Sequence, residues 1–480
     1  MEYVIKGRKP ASLFRFFEEI SAIPRPSYHE GRIADYLVDF AKARSLEYYR
    51  DELHNVLIKA PASVGCEALP PLLFQGHTDM VCEKNGGVEH DFLRDPLKLY
   101  VDGQFLRAQG TTLGADNGVA VAAMLSLLDG EIEKHPAYEC LFTAAEEVGL
   151  DGATGFDYSR ISARHMINMD SEGFGIVTAG CAGGIRSDLS LSLHPEPFAG
   201  ECLRVSVRGL IGGHSGENIN CGRANANKLM GRLLAALLPT CDARLVSVNG
   251  GSKDNAIPRE CEVLLAIPNA ADASELLCNA AAEIARELVD DDRNFSVTCE
   301  DAEPEAVMCS REDTLRTVAV LACVPNAVFE MNHRAKGMVE FSRNLGVVRT
   351  ENDQISFVFA SRSAMESRLD ASIRELDALA AVVGCKTRHY NRYPGWNFSP
   401  VSAVRDAYLR AYRDVTGTDA SVNVIHAGLE CGIISHNIPG MDIISVGPNM
   451  HDIHSPDEAL DLDSLETFWK TVEQLIVDWK

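Results

Sequence analysis

Apolar residues recur along this chain at two spacings, and the texture changes part-way. Over Ala11–Ile20, Leu13, Phe16, Phe17 and Ile20 fall on one helical face, and Ile33, Leu37 and Phe40 repeat the pattern over Ile33–Ala43. Asn55–Ala60 and Leu72–Gln75 are short apolar runs that read as strands. Gly118–Leu128 is small and apolar throughout, which predicts a buried helix starting just after Asp116. Cys140–Thr143 and Met166–Met169 predict two more buried strands. Strand and helix thus alternate over residues 1–175, the pattern of a largely parallel sheet under helices.

The glycine-rich stretch Gly173–Gly184 (GFGIVTAGCAGG) is the expected hinge or boundary. Beyond it, Cys202–Arg208 and Cys261–Ile267 alternate like half-exposed strands, and Asn225–Leu238 and Ala271–Leu288 like amphipathic helices. Ser356–Ser361 reads as a strand, with a helix from Ala364 to Val383. The last ninety residues return to buried strands, notably Ile443–Val446, and end in a helix over Leu465–Trp479. The fold class expected is α/β: a mixed, mostly parallel sheet in a discontinuous domain (1–184 and 391–480) with an inserted α+β domain (185–390).

Composition narrows the function. With 46% hydrophobic and 24% charged residues the chain is an ordinary soluble globular protein. Its formal net charge of −24 repels nucleic acid and anionic membranes. Met1–Pro10 has no apolar core of a signal peptide, and runs such as Val119–Leu128 are too short to span a bilayer. The 14 cysteines are scattered without a framework spacing, which points to reduced thiols and a cytoplasmic location. None sits in a recognisable nucleophile motif, which argues against a cysteine-dependent hydrolase.

Acids and histidines follow the predicted buried strands. His77 and Asp79 come after Leu72–Gln75, and Asp116 comes just before the helix at 118. Glu146 and Glu147 follow Cys140–Thr143, Asp170 follows Met166–Met169, and His451 and His454 follow Ile443–Val446. Ligands of open α/β sheets gather at the carboxyl ends of strands. Imidazole and carboxylate both suit zinc, and five such ligands serve two ions if one carboxylate, sensibly Asp116, bridges. Asp79, two residues from His77, would hold the distal imidazole N–H and fix its tautomer. Glu146 and Glu147 are adjacent and so expected to point apart, one binding metal and the other free as general base. Alone, each piece has a plainer reading: a surface turn, a solvated acidic pair, a helix N-cap, a loop histidine. Their attachment to so many separate buried elements is what favours a metal site.

The blocks HTDMV, LGADNG, AAEEVG, NMDSE and IHSPDE resemble, in order, the signature blocks of the zinc exopeptidase family that includes carnosinases, peptidase T and aminoacylases. GGHSGENI, GRANANK, HAGLECG and HSPDE resemble its aminoacyl-histidine dipeptidase branch, over essentially the whole chain. The resemblance implies a zinc-exopeptidase catalytic domain with an inserted lid, and two Zn2+ ions, with Mn2+ or Co2+ as substitutes. It implies that His77, Asp116 and Asp170 bind one ion and Asp116, Glu147 and His454 the other, with a cis Asp116–Asn117 peptide. Glu146 would be the general base for a metal-bridged hydroxide, and Asp79 would orient His77. From the lid, His214 would stabilise the oxyanion and Asn255 and Arg362 would hold the substrate, while the HAGLECG loop with Gly428 would line the substrate pocket. Glu430 is not expected to be a ligand. About 280 residues separate Asp170 from His454, more than one ordinary domain requires, which suggests a large and duplicated lid with room for short peptides only. The activity implied is hydrolysis of dipeptides, Xaa-His among them, by a monomer or a homodimer. A deacylase of N-acyl amino acids with the same metals and a non-catalytic binding protein on the same fold are the alternatives.

Overall fold

The computed structural model describes residues 3–198, 200–305, 307–333, 335 and 337–480; Met1 and Glu2, where the N-terminal charged stretch begins, lie outside the described residues. The chain forms two compact units, one of Met1–Cys181, Trp396–Val424 and Leu429–Lys480, the other of Ala182–Gly395 and Ile425–Gly428.

The first unit is built on eight strands: β1 (Glu47–Arg50), β2 (Val56–Ala60), β3 (Leu72–His77), β4 (Tyr138–Thr143), β5 (His165–Asn168), β6 (Ile176–Cys181), β7 (Ser421–Ile425) and β8 (Asp442–Ser445). Their order is β1-β2-β4-β3-β5-β8-β6-β7. The four central strands, β4, β3, β5 and β8, run parallel, and β1, β2 and β6 are antiparallel to their neighbours. Parallel strands need cover on both faces, and β3 and β4 are buried at every position. Ala11–Ser21 and Gly31–Ala43 bury their expected apolar faces in the same core. Ala115–Leu128 is buried along nearly its whole length because its side chains are small. It lies so close to β3 that a Cβ on Gly76 would come within 2.3 Å of the Ala120 Cβ. That approach brings the ends of β3 and of this helix together. A second, four-stranded sheet pairs Leu99–Asp102 and Phe105–Ala108 with Ala459–Asp461 and Met450–His451.

The glycine-rich stretch is strand on both sides of the boundary between units: β6 ends at Cys181, and Gly183–Ser192 begins an antiparallel sheet of the second unit. That sheet holds nine strands, eight of them in the path 296–302, 201–208, 261–267, 244–250, 339–351, 354–363, 183–192, 386–393. Leaving aside the ninth strand, Ala327–Met331, which pairs with 339–351 off this path, each half follows the order strand, helix, strand, strand, helix, strand, and each places its four strands 4-1-3-2 from edge to centre. The halves meet at their second strands, through Asn249↔Arg349 and Gly250↔Val348. The first half is inserted between the first strand and first helix of the second. Among the described residues no helix is long and apolar enough to cross a membrane.

Candidate active site

His77 is the last residue of β3, and Asp79 follows it in the turn. Both are buried. The His77 Nδ1 lies 3.3 Å from Asp79 Oδ1, and its Nε2 lies 3.1 Å from Asp116 Oδ1 and 3.6 Å from Asp170 Oδ1. Asp79 also accepts hydrogen bonds from Ser27 Oγ (2.8 Å) and from the backbone N–H groups of Glu146 (3.1 Å) and Glu147 (3.2 Å). One carboxylate thus orients the imidazole and anchors the Glu-Glu turn.

Glu146 and Glu147 do not point apart. Alternation is a property of strands, and this pair sits in a turn after Ala145, whose φ is +52°. The Ala145 N–H donates to the buried Glu30 carboxylate (2.9 Å), and the turn closes on the Glu146 carbonyl. Ligand atoms of His77, Glu146 and Glu147 lie within 4.8 Å of one another.

Asp116 starts the Ala115–Leu128 helix in a non-helical conformation, and its peptide bond to Asn117 is cis. Its second oxygen lies 3.2 Å from His454 Nε2, which is also 3.2 Å from Glu147 Oε1. Asn117 Nδ2 donates to Asp170 Oδ1. Two three-residue groups therefore share Asp116: His77, Asp116 and Asp170, and Asp116, Glu147 and His454, each with ligand atoms within 4.8 Å. His454 has φ +61°, a conformation that a non-glycine residue keeps only where the surrounding structure holds it there. His451 stands apart, exposed, with its ring edge-on to Phe105.

Five carboxylates and two imidazoles share this crevice. Burial pushes the Asp170 and Glu146 carboxyls well above the usual range against the pull of His77. For Asp116 burial acts upward, but hydrogen bonds from His454 and His77 outweigh it and take the group down. His77 is raised well above its ordinary value by Asp170, Asp116 and Asp79 against its own burial, and His454 is raised to about 10 by Asp116 and Glu147. The imidazoles thus hold protons only because anions surround them. A divalent cation satisfies the same anions by displacing those protons.

Glu430, buried beneath the cluster, accepts hydrogen bonds from Gln75 Nε2 (2.5 Å) and Thr143 Oγ1 (2.8 Å) and belongs to neither ligand group. Burial lifts its carboxyl to about 7. Arg25, also buried, was not singled out from the sequence; it donates to the carbonyls of Thr78 (2.9 Å), Asp79 (3.0 Å) and Gly114 (2.5 Å), tying the His77 turn to the Asp116 turn.

The second unit has its own polar cluster. His214 pairs with Ala256 in a two-residue strand, and its Nδ1 accepts from the Glu217 N–H (3.3 Å). That bond puts the proton of the neutral ring on Nε2. Burial and Arg362 lower the imidazole's pKa, so it is neutral near pH 7. Arg362, only 4% exposed, donates from Nη1 to Tyr393 Oη (2.8 Å); its Nη2 is 3.4 Å from His214 Nε2, its Nε has no partner, and among the described residues no carboxylate pairs with it. Gly428 packs under Tyr393, where a Cβ would come 2.8 Å from Cε2. Asn255 is half-buried and gives its carbonyl to the Ser215 N–H (2.8 Å). His426 and Tyr393 join the cluster without having been foreseen, although His426 opens the HAGLECG block. The His426 Nε2 is 2.7 Å from Ser342 Oγ.

Residues 73–478 match the Peptidase family M20/M25/M40. The chain belongs to this peptidase family. It is 38% identical over 473 residues to the cytosol non-specific dipeptidase of Escherichia coli (strain K12), covering 97% of each chain. It superposes on the crystal structure of aminoacylhistidine dipeptidase from Vibrio alginolyticus with TM-score 0.94 at 37% identity, covering 98% of this chain and 97% of that one. The aminopeptidase PepT of Bacillus cereus, 15% identical with TM-score 0.56 over 98% of both chains, shares the fold.

Proposed function

We propose that this protein is a dipeptidase that works with two divalent metal ions. The observation that carries the reading is the pair of three-residue ligand groups sharing Asp116, with Glu146 in reach of the first group's His77 but outside both. The dipeptidase relatives from E. coli and V. alginolyticus support the substrate class. His77, Asp116 and Asp170 would hold one ion, and Asp116, Glu147 and His454 the other. The all-nitrogen-and-oxygen donor set suits zinc, with manganese or cobalt as substitutes. When bound, such ions would polarise the scissile carbonyl and acidify a water molecule.

The chain's own residues do the rest. Glu146, raised by burial, takes a proton from the attacking water and returns it to the leaving amine. Asp79 holds the His77 imidazole and both N–H groups of the Glu turn in place. In the second unit, the neutral His214 offers an Nε2–H to the developing oxyanion. Arg362, which no carboxylate of the described residues pairs with, offers its guanidinium to the peptide carboxylate, beside Gly428, with Asn255 as a further substrate contact. A cytoplasmic location is part of the same reading, supported by 14 free cysteines and by the E. coli relative's name.

The test is a panel of Leu-His, Gly-Leu, carnosine, a tripeptide and an N-acetyl amino acid, with and without chelator, on wild type and Glu146→Ala. Chelator-sensitive cleavage of dipeptides, lost in the variant while its metal content stays, is the expected result. Cleavage of the acetylated compound alone would make the protein a deacylase, and loss of metal in Glu146→Ala would make Glu146 a ligand.

A further inference from the structure

We propose that Glu458 is a positioning residue that preforms the seat of Asp116 before any metal binds; the proposal rests on Asp116 being the shared ligand. Glu458 lies four residues after His454 and is 2% exposed. Its Oε2 accepts from the backbone N–H groups of Leu113 (2.7 Å) and Gly114 (3.0 Å), and its Oε1 from those of Ala115 (2.8 Å) and Asp116 (3.4 Å). Four successive amides thus curl around one carboxylate. The curl needs a left-handed residue, supplied by Gly114 at φ +67°, where a Cβ would also strike Arg25 Nη2 at 2.6 Å. Such an amide nest is an anion site, and here the chain fills it from within.

The same turn is also held by Arg25, through its bond to the Gly114 carbonyl and its bonds to the carbonyls of Thr78 and Asp79. A cation and an anion thus both hold residues 113–116, Arg25 at one carbonyl and Glu458 at four amides, and neither is a member of a ligand group among the described residues. Because Glu458 and His454 share one short loop, the same carboxylate ties Asp116 to His454, whose Nε2 it must meet at 3.2 Å. Without Glu458 four successive N–H groups would lose their acceptor, and the helix start that aims Asp116 at both imidazoles would keep only the hold of Arg25 on the Gly114 carbonyl.

The test compares metal-depleted wild type, Glu458→Gln and Glu139→Gln by calorimetric titration with zinc and by steady-state kinetics on Gly-Leu. Glu139 is the control: it too is buried and accepts backbone N–H groups, from Ser162 and Ala163, at the opposite end of β4. The wild type should take up two ions. Glu458→Gln keeps the size but turns an NH2 group towards the amides, and should weaken zinc binding on the order of 10–100-fold and lower kcat with KM little changed. Glu139→Gln should leave zinc affinity unchanged. Equal affinity in wild type and Glu458→Gln, or equal losses in both variants, overturns the proposal alone; a wild type that binds no zinc overturns the functional reading with it. Hydrogen exchange on the metal-free wild type gives a check that needs no variant. Amides 113–116 should be strongly protected, and fast exchange there would refute a preformed seat.

Discussion

Replacing Arg362 with methionine should make the protein more stable and a far poorer enzyme at once. The guanidinium is 4% exposed and carries five N–H donors, of which one has a firm acceptor among the described residues, Tyr393. A buried charge without a counterion destabilises, and removing one in favour of an apolar side chain of similar length gains about 1–3 kcal/mol. For a unit of roughly 200 residues, each kcal/mol raises the melting temperature by about 2–4 °C. A substrate carboxylate held by two charge-assisted hydrogen bonds gains about 3–6 kcal/mol gross, and desolvation leaves about 2–4 of it. At 1.36 kcal/mol per decade, Arg362→Met should lower kcat/KM for dipeptides by about 30- to 1,000-fold, mainly through KM. Steady-state kinetics on Gly-Leu and a thermal melt, both on metal-loaded protein, measure the two effects. A KM within twofold of wild type refutes the carboxylate role whatever the melt does, and a lower melting temperature refutes the claim that the charge lacks a partner.

Other outcomes follow from the same geometry. Gly428→Ala should push Tyr393 off its contact and raise KM several-fold with kcat nearly intact, since the added Cβ would sit 2.8 Å from the ring; an unchanged KM would mean the ring does not hold Arg362. Burial, with Arg362 and His214 nearby, pushes the His426 imidazole down to about 3, against about 6.5 in an unfolded chain. The unfolded state therefore takes up a proton that the folded state refuses, and stability present above pH 6.5 should be lost as pH falls towards 3. Melts between pH 7 and 4.5 should fall less steeply for His426→Gln, and parallel slopes would contradict the assignment.

Much of the ligand constellation could be read from the chain because each member follows a buried, strongly apolar strand or opens an apolar helix. His77 closes β3, and Asp170 and the Glu pair announce themselves as the first polar residues after β5 and β4. The turn that brings Glu146 and Glu147 together was not legible, since it depends on a left-handed alanine that no composition rule singles out. Strands with little buried surface were hidden too: Lys386–Tyr393 (KTRHYNRY) has no fully buried side chain, so no apolar alternation marks it. The repeat in the second unit showed only as the long interval between Asp170 and His454, because two halves can share an order of elements while sharing only a pattern of burial. Arg25 carries no signature and Glu458 shows only as the last letter of HSPDE, without a role, because both bond to backbone, which offers the same groups at every residue.

The place of β8 in the sheet has a consequence for how the protein is made. β8 enters between β5 and β6, yet it lies some 260 residues after β6, so at about 5–20 residues per second a ribosome needs roughly 13–50 s to reach it. During that interval β5 has its pairing edge bare, with Met166 and Ile167 on it. An exposed apolar edge invites pairing with other chains. The nascent first unit should therefore be a client of chaperones until its last hundred residues emerge, and slowing translation downstream of Cys181 should lower the soluble yield more than slowing it upstream.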